Sequence, residues 1–305
     1  MTTANEMARG QWATLLPLFG IDAIYLTGKH GPCPMCGGKD RFRWDDRRGN
    51  GNWICSGCGH GDGFDLVSKT SGMSFKDIAT KVAELLGKEN NFVPKARDPE
   101  EERQRQAMKD LWASSGSLSD DGPVALYLTR RTGTVWASSL VREHLGRALM
   151  VSKIIGHNDK AVNLHVTYLT RDGFKANVEC PKKVLSGKLP DGCAIRLSPA
   201  APVMGVAEGI ETAISASLMF DMPVWACVNG TLLSKWIPPG VSEQVTVFAD
   251  NDVNYAGHAK AYHLANRLEV QFKRKTEVRM PPVIGSDWND FHATKRSGDL
   301  LRIVK

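Results

Sequence analysis

The sequence predicts an α+β chain with an α/β core. In order, it reads as a small cysteine-bearing β-ribbon, a helical linker, a basic antiparallel subdomain and a Rossmann-like parallel-sheet core. Three observations predict this. Two Cys-x-x-Cys knuckles stand near the N-terminus, the middle of the chain alternates with period two, and two short β-branched runs (203–206 and 245–248) each lead through acid into a helical stretch. Short apolar runs of this kind read as buried parallel strands, and α/β sites gather at their carboxyl ends. At 305 residues the chain is long enough for more than one folding unit, and the expected boundaries are 1–87, 88–122, 123–200 and 201–305.

Composition narrows the class. Hydrophobic content of 42% and charged content of 24% are those of an ordinary soluble protein. No apolar run approaches the ~20 residues of a membrane helix, and the opening MTTANEMARGQW lacks a signal-peptide layout, so a cytoplasmic protein without a membrane partner is expected. Seven cysteines, an odd number, fit reduced thiols and metal ligation better than a disulfide framework. The net charge of +6 is unevenly spread. Residues 130–196 hold twelve Lys and Arg against five Asp and Glu, which suits a polyanion such as nucleic acid, or a merely solvated basic face.

Residues 10–28 have an apolar helical pattern (Trp12, Leu15, Leu16, Leu18, Phe19) suited to packing on the cysteine-bearing ribbon. Next come Cys33/Cys36 and Cys55/Cys58, two knuckles separated by 18 residues, enough for a hairpin. Four thiolates give one zinc ion a closed tetrahedral shell, a structural site without an open position. Between the knuckles, alternation sends Phe42 and Trp44 to one face and Arg41 and Arg43 to the other. Exposed, Arg41, Arg43 and Trp44 suit stacking on single-stranded bases; alternatively Trp44 and Trp53 fill the ribbon's small core. His30 and His60 read as surface residues beside the knuckles. SFKDIATKVAELLG is an amphipathic helix ending at Gly87. A charged helix from about Pro99 to Ser114 comes after a polar stretch, and SSGSLSDDGP breaks it. Residues 163–199 alternate like antiparallel strands with a turn at Arg171-Asp172-Gly173, and Cys180, Cys193 and Cys227, lacking paired spacing, read as core residues.

In the last third, Glu208 comes after the first apolar run, Asp250 and Asp252 after the second, and Asp287 and Asp290 close a third segment, PPVIGSDWND. One such acid alone would cap a helix or face water. Carboxylates gathered at strand ends repel one another unless a hard cation neutralises them, and magnesium is the usual one.

Glu208-Gly209 after a strand, then Asp250-Asn251-Asp252 after a second strand with Ala256-Gly257 beyond, resembles the Toprim domain of primases and topoisomerases. The segment 287–290 is similar to the third acidic segment of its phage primase versions, and PVALYLTRRTG to the Y-L-x-x-R-G segment opening a primase catalytic core. With the four-cysteine ribbon in front, the chain resembles a stand-alone phage- or plasmid-type primase. That resemblance implies acid–base work or metal binding for Glu208 and magnesium on Asp250 and Asp252, with Asp287 and Asp290 helping. Two magnesium ions, replaceable by manganese, are expected beside one structural zinc. It also implies that Arg130, Lys175, Lys182, Lys183 and Arg196 bind template or nucleotide. Single-stranded DNA, ribonucleoside triphosphates and a separate replicative helicase are the implied partners. Bacterial primases carry a further acid four residues after the Glu; that position is Thr212 here and the nearest acid is Glu211, whose substitution for it stays open. The alternatives are a non-catalytic recombination mediator pairing a four-cysteine site with Toprim, and a Toprim nuclease. Asn229-Gly230-Thr231 reads either as a phosphate-approaching turn or as an ordinary one, and His258 and Lys260 as residues facing nucleotide.

Overall fold

The computed structural model describes residues 4–87 and 99–298, so the first part of the expected linker, 88–98, lies outside the described residues. The chain divides into two compact units, residues 1–96 with 266–273 and residues 97–265 with 274–305.

In the first unit, α1 (Ala4–Ala8) and α2 (Trp12–Leu18) lead into an antiparallel sheet. Its strands, β1 (Gly31–Cys33), β2 (Gly37–Trp44), β3 (Trp53–Cys55) and β4 (Gly59–Gly61), pair in chain order. The expected apolar helix does pack on this ribbon, but it stops at Leu18, with only a 3-10 turn at Ala23–Tyr25 beyond. Trp12, Leu15 and Leu16 share one core with Phe42, Trp53, Cys33 and Cys55. Phe42 stacks on Trp53 at 6.0 Å between ring centroids. Helices α3 (Gly63–Ser71) and α4 (Phe75–Leu85) begin where their caps dictate. Asp62 and Asp65 form a capping box, Gly72 ends α3 in the left-handed region, and the Ser74 side chain accepts from the Asp77 amide.

The second unit opens with α5 (Pro99–Ala113) and α6 (Pro123–Thr132), the latter started by proline and stopped by Gly133. The alternating middle forms an antiparallel sheet of β5 (Val141–His144), β6 (Leu149–Ile155), β7 (Ala161–Tyr168) and β8 (Lys182–Val184). The period of two has a direct consequence. Leu149 and Val151 face Met108, Leu111 and Trp112 of α5, whereas Met150 and Ile154 join Val124, Tyr127 and Leu128 of α6 in the main core. The charged helix expected in the linker is thus docked on the sheet by its C-terminal turn. Arg142 and Lys153 both lie over the Trp112 ring, at 4.3 and 4.1 Å.

The core sheet is parallel throughout, in the order β10-β9-β11-β12. Chain order alternates strand and helix: β9 (Val203–Ala207), α7 (Ile210–Phe220), β10 (Val224–Ala226), α8 (Gly230–Ser234), β11 (Gln244–Phe248), α9 (Ala256–Val270), β12 (Lys275–Arg279), α10 (Trp288–Ser297). Both expected strands, 203–206 and 245–248, are present and adjacent. The third is not the apolar PPVI but the polar KTEVR, an edge strand ahead of it. No helix among the described residues is long and apolar enough to cross a membrane.

Candidate functional site

Three parallel strands deliver acid to one edge. Glu208 comes immediately after β9, Asp250 and Asp252 after β11, and Asp287 caps the helix entered after β12. The spacers in the last motif explain its geometry. Trp288 is buried edge-to-face against Phe220 and Phe248, at 5.1 and 5.8 Å. Asn289 is buried and donates to the Arg131 carbonyl (2.8 Å) and the Ser215 hydroxyl (2.9 Å). These two fix the start of α10, leaving Asp287 and Asp290 in a capping box at its end. Asp287 also accepts from Thr212 Oγ1 at 3.2 Å. Thr212, at the position where the resemblance to bacterial primases implies an acid, therefore orients one carboxylate instead of adding another.

Asp250 is the centre of the negative charge. Its Oδ1 is buried without a hydrogen-bond partner. Burial first, then Asp287, Glu208, Asp252 and Asp290, push its carboxyl up to about 7. Burial also raises Glu208, against the pull of Lys260 and of the Gly230 amide that hydrogen-bonds it. A Cβ at 230 would lie 2.8 Å from Glu208 Oε2 and 2.3 Å from the Lys260 side chain, so a larger residue there would displace both. Gly257 is the more tightly constrained: a Cβ there would lie 2.5 Å from the Asp250 carbonyl oxygen, and its amide donates to Asp252 Oδ2 at 2.8 Å. An orphaned buried oxygen amid mutually repelling carboxylates suits a divalent cation, although the ligand atoms of these acids are not gathered as tightly as the cysteine sulfurs of the ribbon. Asn229 caps α8 and Gly230 serves Glu208.

The basic candidates separate into engaged and open groups. Lys182 Nζ lies 2.7 Å from Glu211 Oε2, and the Tyr127 hydroxyl donates to the other Glu211 oxygen. Glu211 is buried, with one oxygen engaged by Lys182 and the other by Tyr127. Arg196 is tied to Asp159 (2.5 Å) and the Gly156 carbonyl (2.8 Å) and lies over Trp225. Arg130 lies over Phe174 at 3.6 Å, and Lys183 over Tyr168 at 4.9 Å. Lys175 is exposed as a residue, yet its ammonium is partly desolvated and lowered, beside Lys182, Glu211, Arg131 and Asp287. Arg131, which the sequence reading passed over, points at Asp290 (3.9 Å) and keeps a buried Nε without a partner. Its only sequence signal was the doubled arginine of YLTRR. His258 has a buried Nδ1 without a partner, and Lys260 stands beside Glu208. Cys193 and Cys227 are core residues as expected; Cys180 is exposed, in the loop before β8.

Glu211 carries a pH signature. Burial alone would raise its carboxyl, but Lys182 and Tyr127 outweigh burial and bring it down to about 2. A depressed folded-state value stabilises the fold above the unfolded-state value near 4.5, and that contribution fades as pH falls from there toward about 2. Glu211→Gln should therefore be less stable than the wild type at pH 7, with the gap between their urea midpoints narrowing below pH 4.

In the ribbon, the four cysteine sulfurs lie within 4.8 Å of one another, the one such cluster of potential metal-ligating atoms among the described residues. Cys33 and Cys58 are 3.9 Å apart, and Cys36 and Cys55 3.8 Å. A tetrahedron with Zn–S bonds of about 2.3 Å has S–S edges of about 3.8 Å, so the quartet fits zinc. Hydrogen bonding with Cys58 lowers the Cys33 thiol to about 5, and burial raises Cys55. Arg41 is exposed with its guanidinium 3.9 Å from Cys36 Sγ, and Arg43 is held by Asp45 at 2.6 Å. Trp44 is half-buried and packs on the ribbon core. The ribbon's open cleft, about 570 Å³, is lined by Arg43 and by Arg47, Arg48, Asn50, Asn52 and His60, of which the sequence reading had noted only Arg43 and His60. His30 and His60 are exposed.

A four-cysteine zinc site and a carboxylate edge at the ends of parallel strands occur together in this chain. The family comparisons bear on both parts. Residues 28–64 match the family model for the zinc-binding domain of primase-helicase, residues 203–297 that for the Toprim domain, and residues 102–197 a domain of unknown function. The chain thus carries a primase-type zinc-binding domain and a Toprim domain, the two domains of a DNA primase enzyme. Among solved structures, it is similar to the primase fragment of the bacteriophage T7 primase-helicase protein (17% identity, 91% of this chain and 99% of that one, TM-score 0.39). It is also similar to the zinc-binding and RNA polymerase domains of Aquifex aeolicus primase (15%, 99% and 84%, TM-score 0.34). The RNA polymerase domain of a Mycobacterium tuberculosis primase in complex with double-stranded DNA matches at 15% identity over 66% of this chain and 79% of that one, TM-score 0.37.

Proposed function

We propose that the protein synthesises short RNA primers on single-stranded DNA by magnesium-dependent nucleotidyl transfer. The observation that carries this is Asp250, buried with an unpartnered oxygen among Glu208, Asp252, Asp287 and Asp290. Bound by these acids, magnesium would lower the pKa of the attacking 3′-hydroxyl and neutralise the triphosphate. Asp250, Asp252 and Asp287 are the residues to hold it, with Asp290 at the rim. Glu208 is the proposed proton acceptor, or the ligand of a second ion. Burial raises its carboxyl, which makes it a stronger base than a solvated glutamate. Arg131, 3.9 Å from Asp290, and Lys175, within electrostatic reach of Asp287, are suited to substrate phosphates. The basic cleft of the zinc ribbon is suited to reading a short template sequence. The partners in this reading are single-stranded DNA, ribonucleoside triphosphates and a separate replicative helicase. A cytoplasmic setting agrees with seven free thiols.

The test is synthesis itself. The full chain is incubated with single-stranded templates of varied sequence, labelled ribonucleotides and magnesium, and the products are resolved on a denaturing gel. Short template-dependent RNA is the expected result. Template cleavage would replace this reading with a nuclease. Binding without product, with manganese or an added helicase as well, would replace it with a non-catalytic mediator.

A further inference from the structure

We infer that Tyr127 and Glu211 form a buried clamp that fixes the Lys182 ammonium at the edge of the carboxylate cluster, where it anchors the phosphates of an incoming nucleotide. This rests on the primer-synthesis reading for the identity of the ligand, but the clamp itself is geometric. Glu211 lies in the first turn of α7, three residues after Glu208, and is buried. One of its oxygens accepts from the Tyr127 hydroxyl on α6, also buried, and the other from Lys182 Nζ at 2.7 Å. Three elements from distant parts of the second unit therefore meet on one carboxylate.

The exposure of the three partners is unequal, and that asymmetry gives the clamp its direction. The Glu211 side chain is 4% exposed and that of Lys182 is 34% exposed. An ammonium has three donors, and Glu211 takes one, so Lys182 is held at its inner side and open at its outer side. Glu211 stands in the first turn of the helix that starts just after Glu208, so the ammonium bonded to it lies beside the acid edge. His165 of β7, buried close by, is lowered to about 4 by burial and then by Lys182, which leaves it neutral behind the lysine. A buried ion pair is weak evidence for stability, since apolar residues of similar volume often serve as well. What the carboxylate provides that an apolar residue cannot is a fixed position for a flexible, half-exposed cation. β8, which carries Lys182, is a three-residue edge strand after a long loop and would not fix the side chain unaided. Glu211 is thus a positioning residue, with Tyr127 locking the carboxylate rotamer.

Equilibrium titration of the full chain with ATP and magnesium, without template, tests this. Tyr127→Phe removes one hydroxyl and should weaken ATP binding about five- to tenfold. Lys182→Ala should weaken it at least as much, and Tyr127→Phe should then add nothing in the Lys182→Ala background. Thermal melts accompany each variant. Wild-type affinity in Tyr127→Phe, or independent additive losses in the double variant, would overturn the clamp. Should Tyr127→Phe lose its fold, Lys182→Arg carries the test, because it keeps the charge but not the length; unchanged affinity there also overturns it. Wild-type protein that binds ATP yet makes no RNA would refute primer synthesis and leave the clamp to these variants. Wild-type protein that primes while Tyr127→Phe binds ATP normally would refute the clamp alone. Absence of ATP binding in the wild type would refute both.

Discussion

Asp250→Asn is expected to reduce primer synthesis by at least about a hundredfold, with single-stranded DNA binding retained, because the pre-arranged charge that serves the reacting phosphate is lost. The same substitution should make the cation-free protein more stable. Asp250 is pushed up to about 7 by burial and by four neighbouring acids, so ionising it at pH 8 costs folding free energy. A raised carboxyl value means that the folded state binds the extra proton between roughly pH 4 and 7, and wild-type stability falls as pH rises through that window. The asparagine cannot ionise. Its melting temperature in EDTA should exceed that of the wild type at pH 8, and the gap should close as pH falls below about 6. Opposite changes in activity and stability are the mark of a site whose strain serves function. Full synthesis by the variant would remove Asp250 from the site, and equal melting curves at pH 8 would remove the repulsion.

Much of this site was legible in the residues, for identifiable reasons. The runs 203–206 and 245–248 are apolar because β9 and β11 are the two central strands, covered on both faces, so burial wrote them into the sequence. The acids after them stood out against that background. β12 did not, because KTEVR is an edge strand whose side chains are half-buried or exposed, and the apolar PPVI downstream drew the reading instead. The acids at 287 and 290 were read as ligands while Trp288 and Asn289 between them passed as spacers. Their partners, Phe248 and Arg131, are distant in sequence, and no local pattern announces them. Lysines and arginines were the least legible. Lys182 and Arg196 looked alike in sequence, yet one is clamped beside the acids and the other is held by Asp159 over Trp225. Charge counting finds a basic segment but cannot tell which cations are already occupied.

Removal of zinc should have the second large effect. Cys33 and Cys55 are buried members of the ribbon's own core, beside Phe42, Trp53 and Trp12, so the metal site and the hydrophobic core are one structure. Zinc bound by structural thiolates contributes on the order of 10 kcal/mol or more near pH 7, comparable to the whole stability of a small domain. Without it, four closely spaced thiols are left around a void, in a sheet in which three of the four strands have only three residues. Chelation, or Cys55→Ser, should release about one equivalent of zinc per chain. The near-ultraviolet circular dichroism of the ribbon tryptophans should fall with it. The cleft lined by Arg47, Arg48 and His60 exists only while β2, β3 and β4 stay paired, so template choice should be lost along with the metal. A dinucleotide made at the carboxylate edge from two free ribonucleotides does not call on that cleft, and its synthesis should survive better than template-specific initiation. Loss of both in equal measure would mean that the ribbon supports the catalytic site itself. Unchanged template choice in a zinc-free protein would mean that the ribbon does not read DNA.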